Sequence, residues 1–256
     1  MKLVHWSGSL LLLASAFNAS IALASDNHAS SHWGYQGKAG PDNWSHLSDE
    51  FKTCAQGTRQ SPIDVSEKFA IKANLNALKF SYQSVQPEIV NNGHTIQVNY
   101  APGSHVAISG KEYELLQFHF HTPSENKLAG KSFPMEMHMV HKSVDGKLAV
   151  VAVFIENGEE NKVLKAAWDK MPEHAGERQT LSQMNLSATQ LLPNNKEYAQ
   201  FNGSLTTPPC SEGVNWVVLK TPIQMSKQQM AKFQKVMGDN ARPLQPLNNR
   251  FILAEQ

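Results

Sequence analysis

The sequence is poor in cysteine and has almost no net charge. Only two cysteines occur among its 256 residues, and 23 basic residues nearly balance 22 acidic ones. No long basic run is present, so nothing offers the positive field that attracts nucleic acid or an anionic membrane. Internal repeats, heptads and low-complexity linkers are also missing, which argues against a repeat protein, a coiled coil or several domains. The 41% of hydrophobic residues suffice for one sizeable core.

The one stretch with the features of a membrane-directed segment is at the N-terminus. Lys2 precedes the apolar run Leu10–Leu13, and the small-residue sequence Ala22-Leu23-Ala24 follows. This order predicts a secretory signal peptide over residues 1–24. A transmembrane anchor is the alternative, but three serines and Asn18 interrupt the run and no strong charge cluster follows it. We therefore expect export to the periplasm or the medium, with no membrane insertion after the signal is removed.

The expected mature chain, 25–256, is neutral and has one pair of cysteines. Loss of Lys2 reduces the 23 basic residues to 22, which equals the 22 acidic residues. In an oxidising compartment we expect Cys54 and Cys210 to form one long-range disulfide, with two free thiols as the alternative. A metal site on both cysteines is less favoured, because neither has a cysteine or histidine close in the sequence. We expect a single domain over 25–256, in which 25–31 is a mobile lead.

Most periodic segments are short and alternate between apolar and polar residues, the pattern typical of β-strands. The alternating segments are 95–100, 105–108, 114–121, 135–141 and 216–219. The run 148–155 is apolar throughout, which predicts a strand buried on both faces at the centre of a sheet. Helical spacing is seen only over 161–170 and 226–236. The sequence therefore predicts a mainly β (α+β) domain with long ordered loops.

The segment Gln117–Asn126, QFHFHTPSEN, contains two histidines separated by one residue. Residues two apart in a strand point to the same face, so His119 and His121 share a face while Phe118 and Phe120 point the other way. Two imidazoles on one face can chelate a metal ion. On its own, the pattern is equally consistent with a core histidine beside a merely polar one.

A third histidine follows on the next predicted strand, in the segment Glu136–His141. An antiparallel neighbour would bring one more imidazole beside the first two. Strand alternation places His138 on one face with Glu136 and Val140, and His141 on the opposite face. We expect His138 to be the third ligand and His141 to be a packed, hydrogen-bonded histidine.

Three imidazoles favour a catalytic metal site over a structural one. Three neutral histidines leave the fourth tetrahedral position of Zn²⁺ open, where water can bind and react. Metal-bound histidines usually donate their other N–H to a carboxylate, an amide or a carbonyl. Gln117 and Glu136 each precede a candidate ligand by two residues on the same strand face, where they could accept such bonds. Ordinary polar strand residues are the alternative interpretation of both.

Several motifs resemble those of the α-class carbonic anhydrases, in the same order along the chain. They are HWGY at 32–35, RQSPIDV at 59–65, NNGH at 91–94, QFHFH, SEN, MEMHMVH, GSLTTPPCSEGVNW at 203–216 and RPLQPLNNR near the C-terminus. The resemblance spans about residues 32–252. It implies a zinc enzyme that interconverts CO₂ and bicarbonate, a monomer or homodimer, on a large, mostly antiparallel twisted sheet with short peripheral helices.

The resemblance also implies roles for individual residues around the metal. The implied Zn²⁺ ligands are His119, His121 and His138. Thr206 would receive the hydrogen of a zinc-bound hydroxide and pass its own hydroxyl hydrogen to Glu125, which aims the attack on CO₂. Thr207 would contact bicarbonate in the same mouth. Cys210 follows these threonines closely, so a bond to Cys54 would also anchor their loop.

Two further sets of residues match positions that serve substrate binding and proton release in that family. The apolar wall for CO₂ would consist of Val140, Val150, Leu205 and Trp216, although core packing alone explains each one separately. His94 matches the proton-shuttle histidine, whose ordinary pKa near 6.5 suits exchange at neutral pH; a solvated loop-end histidine is the alternative. The residues matching those that order the intervening water are Tyr35, Asn92 and Gln97. Gln97 stands where asparagine is common.

Three other functions compete with this interpretation. A cupin would use the H-x-H-x₃-E pattern, with Glu125 itself a ligand of iron or manganese, but that scheme leaves the other motifs unexplained. A non-catalytic binding module on the same fold is disfavoured because all three histidines, Glu125 and Thr206 are retained. Zinc storage would leave Thr206 without a purpose.

Overall fold

The computed structural model describes residues 32–255 of the chain. The segments for which the sequence predicts a signal peptide, 1–24, and a mobile lead, 25–31, lie outside the described residues. Within the described range, no helix is both long enough and apolar enough to cross a membrane.

Strands outnumber helices among the described residues. The strands are β1 (Asp64–Val65), β2 (Ala70–Ala73), β3 (Lys79–Ser81), β4 (Ser84–Val85), β5 (Glu88–Asn91), β6 (Ile96–Asn99), β7 (His105–Ile108), β8 (Lys111–His121), β9 (Lys127–Leu128), β10 (Met135–Lys142), β11 (Leu148–Asn157), β12 (Arg178–Thr180), β13 (Leu186–Ser187), β14 (Tyr198–Ser204), β15 (Glu212–Met225) and β16 (Ile252–Glu255). The α-helices are α1 (Trp44–Leu47), α2 (Thr53–Gln56), α3 (Lys162–Asp169) and α4 (Lys227–Met237). Short 3₁₀ segments cover Gly37–Ala39, Pro41–Asn43, Asp49–Phe51, Glu67–Phe69 and Ala188–Leu191.

One large sheet organises these elements. Its strand order is β12-β5-β6-β8-β10-β11-β15-β14-β16-β2, and β7 pairs with both β8 and β3. Most neighbours are antiparallel, whereas β11 with β15 and β16 with β2 run parallel. The apolar strand β11 lies in the middle of this order, as its sequence predicts. The predicted fold class, a large, mostly antiparallel sheet with short helices around it, is confirmed.

Alternation along β11 divides the core into two clusters. Alternate residues of β11, namely Ala149, Val151, Val153 and Ile155, belong to a cluster that includes Phe118 and Phe120. The residues between them, namely Val150, Ala152 and Phe154, belong to a second cluster with Trp216 and Val218. Every residue from 149 to 155 is therefore buried, because both faces of this strand are covered. His138 pairs directly with Ala152, so the histidines lie on the face of the second cluster.

The two longer helices begin at residues that satisfy their first backbone N–H groups. The Asn161 side chain accepts a hydrogen bond from Leu164 N at the start of α3. Ser226 and Gln229 form a capping box at the start of α4. Gly238, with φ +65, ends α4. α3 starts one residue after the start of its predicted segment, because Asn161 is its cap, whereas Ser226 caps α4 as expected for a serine at the start of a helical segment.

The strands around the centre differ most from the sequence prediction. Residues 216–219 predict only the middle of β15, and polar residues such as Gln200 and Asn202 obscured β14 altogether. Pairing on both sides, with β11 and β14, continues β15 beyond this apolar segment. Pro222 is tolerated because it lies where the β11–β15 register is already shifted.

Candidate metal centre

Three histidines converge on one face of the central sheet. His138 on β10 pairs directly with His119 on β8, and His121 pairs with Glu136. One nitrogen of each of the three rings lies within 4.8 Å of the other two. His141 falls on the opposite face, as strand alternation predicts, where its Nε2 lies 2.7 Å from the Tyr82 hydroxyl. This arrangement can hold a metal ion.

Hydrogen bonds to His119 and His121, both on β8, determine which ring nitrogen of each is available to a metal ion. His119 Nδ1 lies 2.9 Å from Gln117 Oε1, and His121 Nδ1 lies 2.8 Å from the backbone oxygen of Asn240. Because both partner oxygens only accept, Nδ1 carries the proton in each ring and Nε2 keeps its lone pair. His121 Nε2 is buried and has no hydrogen-bond partner among the described residues. A buried nitrogen left in this state fits a metal ligand.

Glu136 supports the third ring. Its Oε1 lies 3.3 Å from His138 Nε2, while Nδ1 of the same ring lies 3.8 Å from Glu125 Oε2. Asn126 holds the carboxylate with two hydrogen bonds of 2.8 Å, one from its backbone N and one from Nδ2. Burial raises the pKa of Glu136, and the Asn126 bonds partly oppose that rise. Asn126 belongs to the SEN motif, but sequence analysis assigned it no role.

Burial keeps the three imidazoles neutral. It lowers the pKa of His119 and of His138 well below 6.5, and the neighbouring rings lower both further. Burial also lowers the pKa of His121, although the Asn240 hydrogen bond and Glu136 act in the opposite direction. A neutral imidazole is the form that binds a metal. Three such donors fit the histidine ligands of a tetrahedral Zn²⁺ site.

Glu125 lies beside the histidines and close to Thr206. Its Oε1 accepts a 2.7 Å hydrogen bond from Arg242 N, while Oε2 lies 3.5 Å from His121 Nε2 and has no hydrogen-bond partner within residues 32–255. Burial raises the pKa of Glu125 to about 8, and the contacts with Arg242 and Thr206 act to lower it. The structure thus brings together the two residues that the resemblance pairs.

Arg242 is a residue of this site that sequence analysis missed. Its backbone N–H fixes Glu125, and its guanidinium donates to Gln60 Oε1 at 2.9 Å and to the backbone oxygens of Ser61 and Cys54, each at 2.8 Å. Burial lowers the pKa of Arg242 to about 10, so the group remains charged at neutral pH. The RPLQPLNNR motif marks this segment, but its contacts join residues more than 100 positions apart.

The predicted apolar wall lies in one row across the sheet. Val140 pairs with Val150, and Val150 pairs with Trp216. The Trp216 ring lies edge-on to His138 with centroids 4.9 Å apart. Leu205 packs against the second core cluster, to which Trp216 belongs. Val140, Val150 and Trp216 therefore form an apolar row next to the histidine cluster.

The loop that carries Thr206 and Thr207 is closed by the disulfide. Cys210 N donates a 2.8 Å hydrogen bond to Thr207 O. Cys210 is bonded to Cys54 on α2, with the two Cα atoms 5.0 Å apart. The predicted disulfide is confirmed, and no free cysteine occurs among residues 32–255.

His94 lies at the end of a turn with its ring stacked on Trp33. The two ring centroids are 3.6 Å apart and the planes differ by 6°. The His32 ring lies 6.3 Å away. Burial lowers the pKa of His94, and His32 lowers it further. The imidazole is therefore neutral at neutral pH and able to accept a proton.

The three residues predicted to order water lie around this turn and the histidine cluster. Asn92 Nδ2 lies 3.4 Å from Gln97 Oε1, and Gln97 pairs across strands with His119. The Tyr35 hydroxyl is buried without a hydrogen-bond partner among the described residues. Burial raises the pKa of Tyr35 well above 10, and the charge of Glu125 adds to this rise. The hydroxyl therefore stays protonated and available to donate.

Known proteins are similar to this chain in sequence and in fold. A family model described as eukaryotic-type carbonic anhydrase matches residues 39–256. A carbonic anhydrase of Klebsiella pneumoniae is 47% identical over 227 residues, which cover 87% of this chain and 91% of that protein. The α-carbonic anhydrase of Thermovibrio ammonificans, solved with the inhibitor sulfanilamide, has a TM-score of 0.84 and 46% identity, covering 87% of this chain and 99% of its own. Dioscorin, solved with ascorbate, has a TM-score of 0.83 and 31% identity, covering 88% of this chain and 98% of its own.

Proposed function

The chain belongs to the eukaryotic-type carbonic anhydrase family, and on that premise we propose that it hydrates CO₂ reversibly with Zn²⁺ held by His119, His121 and His138. The observation that carries this proposal is the cluster of three neutral imidazoles, each with one nitrogen available. Leaving His121 Nε2 buried without a partner costs about 1–3 kcal/mol, which a bound cation would remove. When bound, Zn²⁺ supplies a Lewis acid that lowers the pKa of water to about 7, an effect for which carbonic anhydrase is the reference case.

Glu125 and Thr206 orient the attacking oxygen in this proposal. The hydrogen bond from Arg242 N fixes the Glu125 carboxylate. The charge of Arg242 and the contact with Thr206 oppose the effect of burial and favour the ionised form of Glu125. Thr206 has a single hydroxyl hydrogen, so donating it to Glu125 leaves only acceptor lone pairs toward the reaction centre. The attacking oxygen must then donate its own hydrogen to Thr206, which directs its remaining lone pair at the substrate.

The apolar row beside His138 suits an uncharged substrate. CO₂ has no net charge and gains little from ionic contacts, so the surface formed by Val140, Val150 and Trp216, with Leu205 beside it, can hold it by packing. Bicarbonate is charged and polar, and in this proposal it contacts the Thr207 hydroxyl at the same mouth. Product release follows because the apolar wall has no partner for that charge.

Proton release is assigned to His94. Each hydration leaves one proton that must reach the buffer, and a neutral imidazole can accept it and pass it on. The neutral form is favoured because burial lowers the pKa of His94. In this proposal Tyr35, Asn92 and Gln97 order the water between the metal and this ring.

Carbonic anhydrase activity is directly measurable. We expect stopped-flow assays of purified protein to show CO₂ hydration in proportion to bound zinc, with loss on chelation and recovery when Zn²⁺ is added. A zinc-loaded sample that does not accelerate hydration would overturn the proposal and favour a binding role. Dioscorin, a relative that was solved with bound ascorbate, is an example of such binding.

The place of action is a separate part of the proposal. The disulfide and the predicted signal peptide favour an exported enzyme in the periplasm or the medium, as a monomer or homodimer. We expect the exported protein to begin at Ser25. An intact mass that still includes residues 1–24 would contradict this.

A further inference from the structure

Four polar side chains form a continuous hydrogen-bond chain from β5 to the turn that precedes β6. Asn99 Nδ2 donates to Glu88 Oε2 at 2.7 Å. Gln97 Nε2 donates to Asn99 Oδ1 at 2.6 Å, and Asn92 Nδ2 donates to Gln97 Oε1 at 3.4 Å. At the far end, Asn92 belongs to the turn that carries the proposed proton-release histidine.

Both ends of this series of hydrogen bonds, at Glu88 and at Asn92, require the same direction of donation. The Glu88 carboxylate can only accept, so Asn99 must present its NH₂ group to it. At the other end, Asn92 Oδ1 accepts from two backbone N–H groups, those of His94 and Thr95, each at 2.9 Å. Asn92 must therefore present its NH₂ group to Gln97. Each amide has one donating and one accepting end, so the direction set at Glu88 is the one the turn requires.

Strand register explains how these residues meet. Glu88 and Asn99 are direct partners in the antiparallel pair β5–β6. Gln97 lies two residues before Asn99, on the same face, and its side chain spans the distance between Asn92 and Asn99. An asparagine at position 97, one methylene shorter, would have less reach toward both amides. Gln97, which stands where the family commonly has asparagine, is thus the central member of this hydrogen-bond series.

The acceptor at the start of the chain is itself held in place. Glu88 Oε1 lies 3.8 Å from Arg178 NH1 on β12, and the Glu88 side chain is 31% exposed. Arg178 therefore occupies one carboxylate oxygen while Asn99 binds the other. An amide at position 88 could donate as well as accept, so it would no longer dictate the direction of the three amides.

We propose that Glu88 is a positioning residue for proton release, acting through Asn99, Gln97 and Asn92 on the turn that holds His94. The inference rests on the proposed role of His94 and adds a remote group on which that role depends. Glu88 touches neither the metal ligands nor the substrate wall in this account. Its removal affects how the His94 turn is held and leaves the attack on CO₂ unchanged.

Hydrogen exchange tests the structural step without any activity measurement. In the zinc-loaded Glu88→Gln protein we expect the backbone amides of His94 and Thr95 to exchange about two- to tenfold faster, the factor for one weakened hydrogen bond. Glu112→Gln is the matched control, because it removes the same charge from an exposed residue of β8 that takes no part in the hydrogen bonds between Glu88 and Asn92. Arg178→Gln tests whether losing the ion pair alone has the effect. Unchanged exchange in Glu88→Gln, or equal acceleration in Glu112→Gln, would overturn the proposal.

Kinetics test the functional step. Proton release follows the conversion of CO₂, so we expect Glu88→Gln to lower kcat about two- to tenfold in dilute buffer, with kcat/KM unchanged and imidazole buffer restoring the rate. Adding Glu88→Gln to His94→Ala should have no further effect, because both changes act on one step. A further loss in the double variant, or a fall in kcat/KM, would overturn the inference. If His94→Ala alone leaves the buffer dependence unchanged, the proposed role of His94 fails instead.

Discussion

His138 and His141 lie three residues apart on β10, but on opposite faces of the sheet. His138 faces two other imidazoles, whereas His141 faces Tyr82 in the larger core cluster. Burial lowers the pKa of His141 to about 3, so it stays neutral throughout the range in which an exposed histidine titrates. The same residue type is thus a candidate ligand at one position and a core residue at the other.

His141 should make the protein sensitive to acid. Between pH 6.5 and about pH 3, the unfolded chain binds a proton at His141 that the folded chain does not, so stability falls as the pH falls. The slope for one such group is about 1.4 kcal/mol per pH unit. We expect His141→Gln to reduce the pH dependence of the unfolding free energy by about this slope, measured by urea denaturation of both proteins in the same metal state. Parallel curves would show that His141 does not carry this sensitivity.

Thr206 should matter for the reaction and not for metal binding. Without its hydroxyl the attacking oxygen loses the acceptor that orients it, so we expect Thr206→Ala to bind zinc normally and lose about 100-fold in kcat/KM for CO₂. Thr206→Ser keeps the hydroxyl and should retain most of the activity. Stopped-flow rates with zinc content measured on the same samples provide the test, and equal rates for the alanine variant and the wild type would remove the proposed role.

At the scale of elements, strand alternation made the candidate ligands predictable. The H-x-H pattern on β8 and the third histidine on β10 are local signals, and the register places them together. The contacts from the segment after α4 were not predictable. Asn240 O meets His121, and Arg242 N meets Glu125, across separations of 119 and 117 residues. Backbone groups carry no sequence signal of their own, so no local pattern reveals such contacts.

The disulfide ties two such distant elements together. It joins α2 to the loop after β14 and closes a separation of 156 residues. Loop-closure entropy predicts a loss of about 5 kcal/mol in unfolding free energy when Cys54 and Cys210 are both replaced by serine, a value that depends on the entropic model. Denaturation curves should also show that a reductant destabilises the wild type and leaves the double variant unaffected. A reductant that has no effect on the wild type would contradict this account.

At the scale of the whole molecule, the long sheet both forms the core and presents the site. β11 is covered on both faces and lies between its neighbours β10 and β15. β10 presents His138, and β15 presents Trp216 beside it. The central strands were predictable from their apolar runs. The polar strand β14 and the edge strand β2 were not, because their positions depend on pairing with distant partners.

The central claim is that three histidines on one sheet face hold a catalytic zinc ion, and the matched pair His138→Ala and His141→Ala tests it most directly. Zinc content per protein and CO₂ hydration should be measured on both variants, with circular dichroism to confirm that each is folded. We expect His138→Ala to lose stoichiometric zinc and activity together, while His141→Ala retains both. Stoichiometric zinc in a folded His138→Ala protein, with zinc lost from a folded His141→Ala protein, would contradict the account.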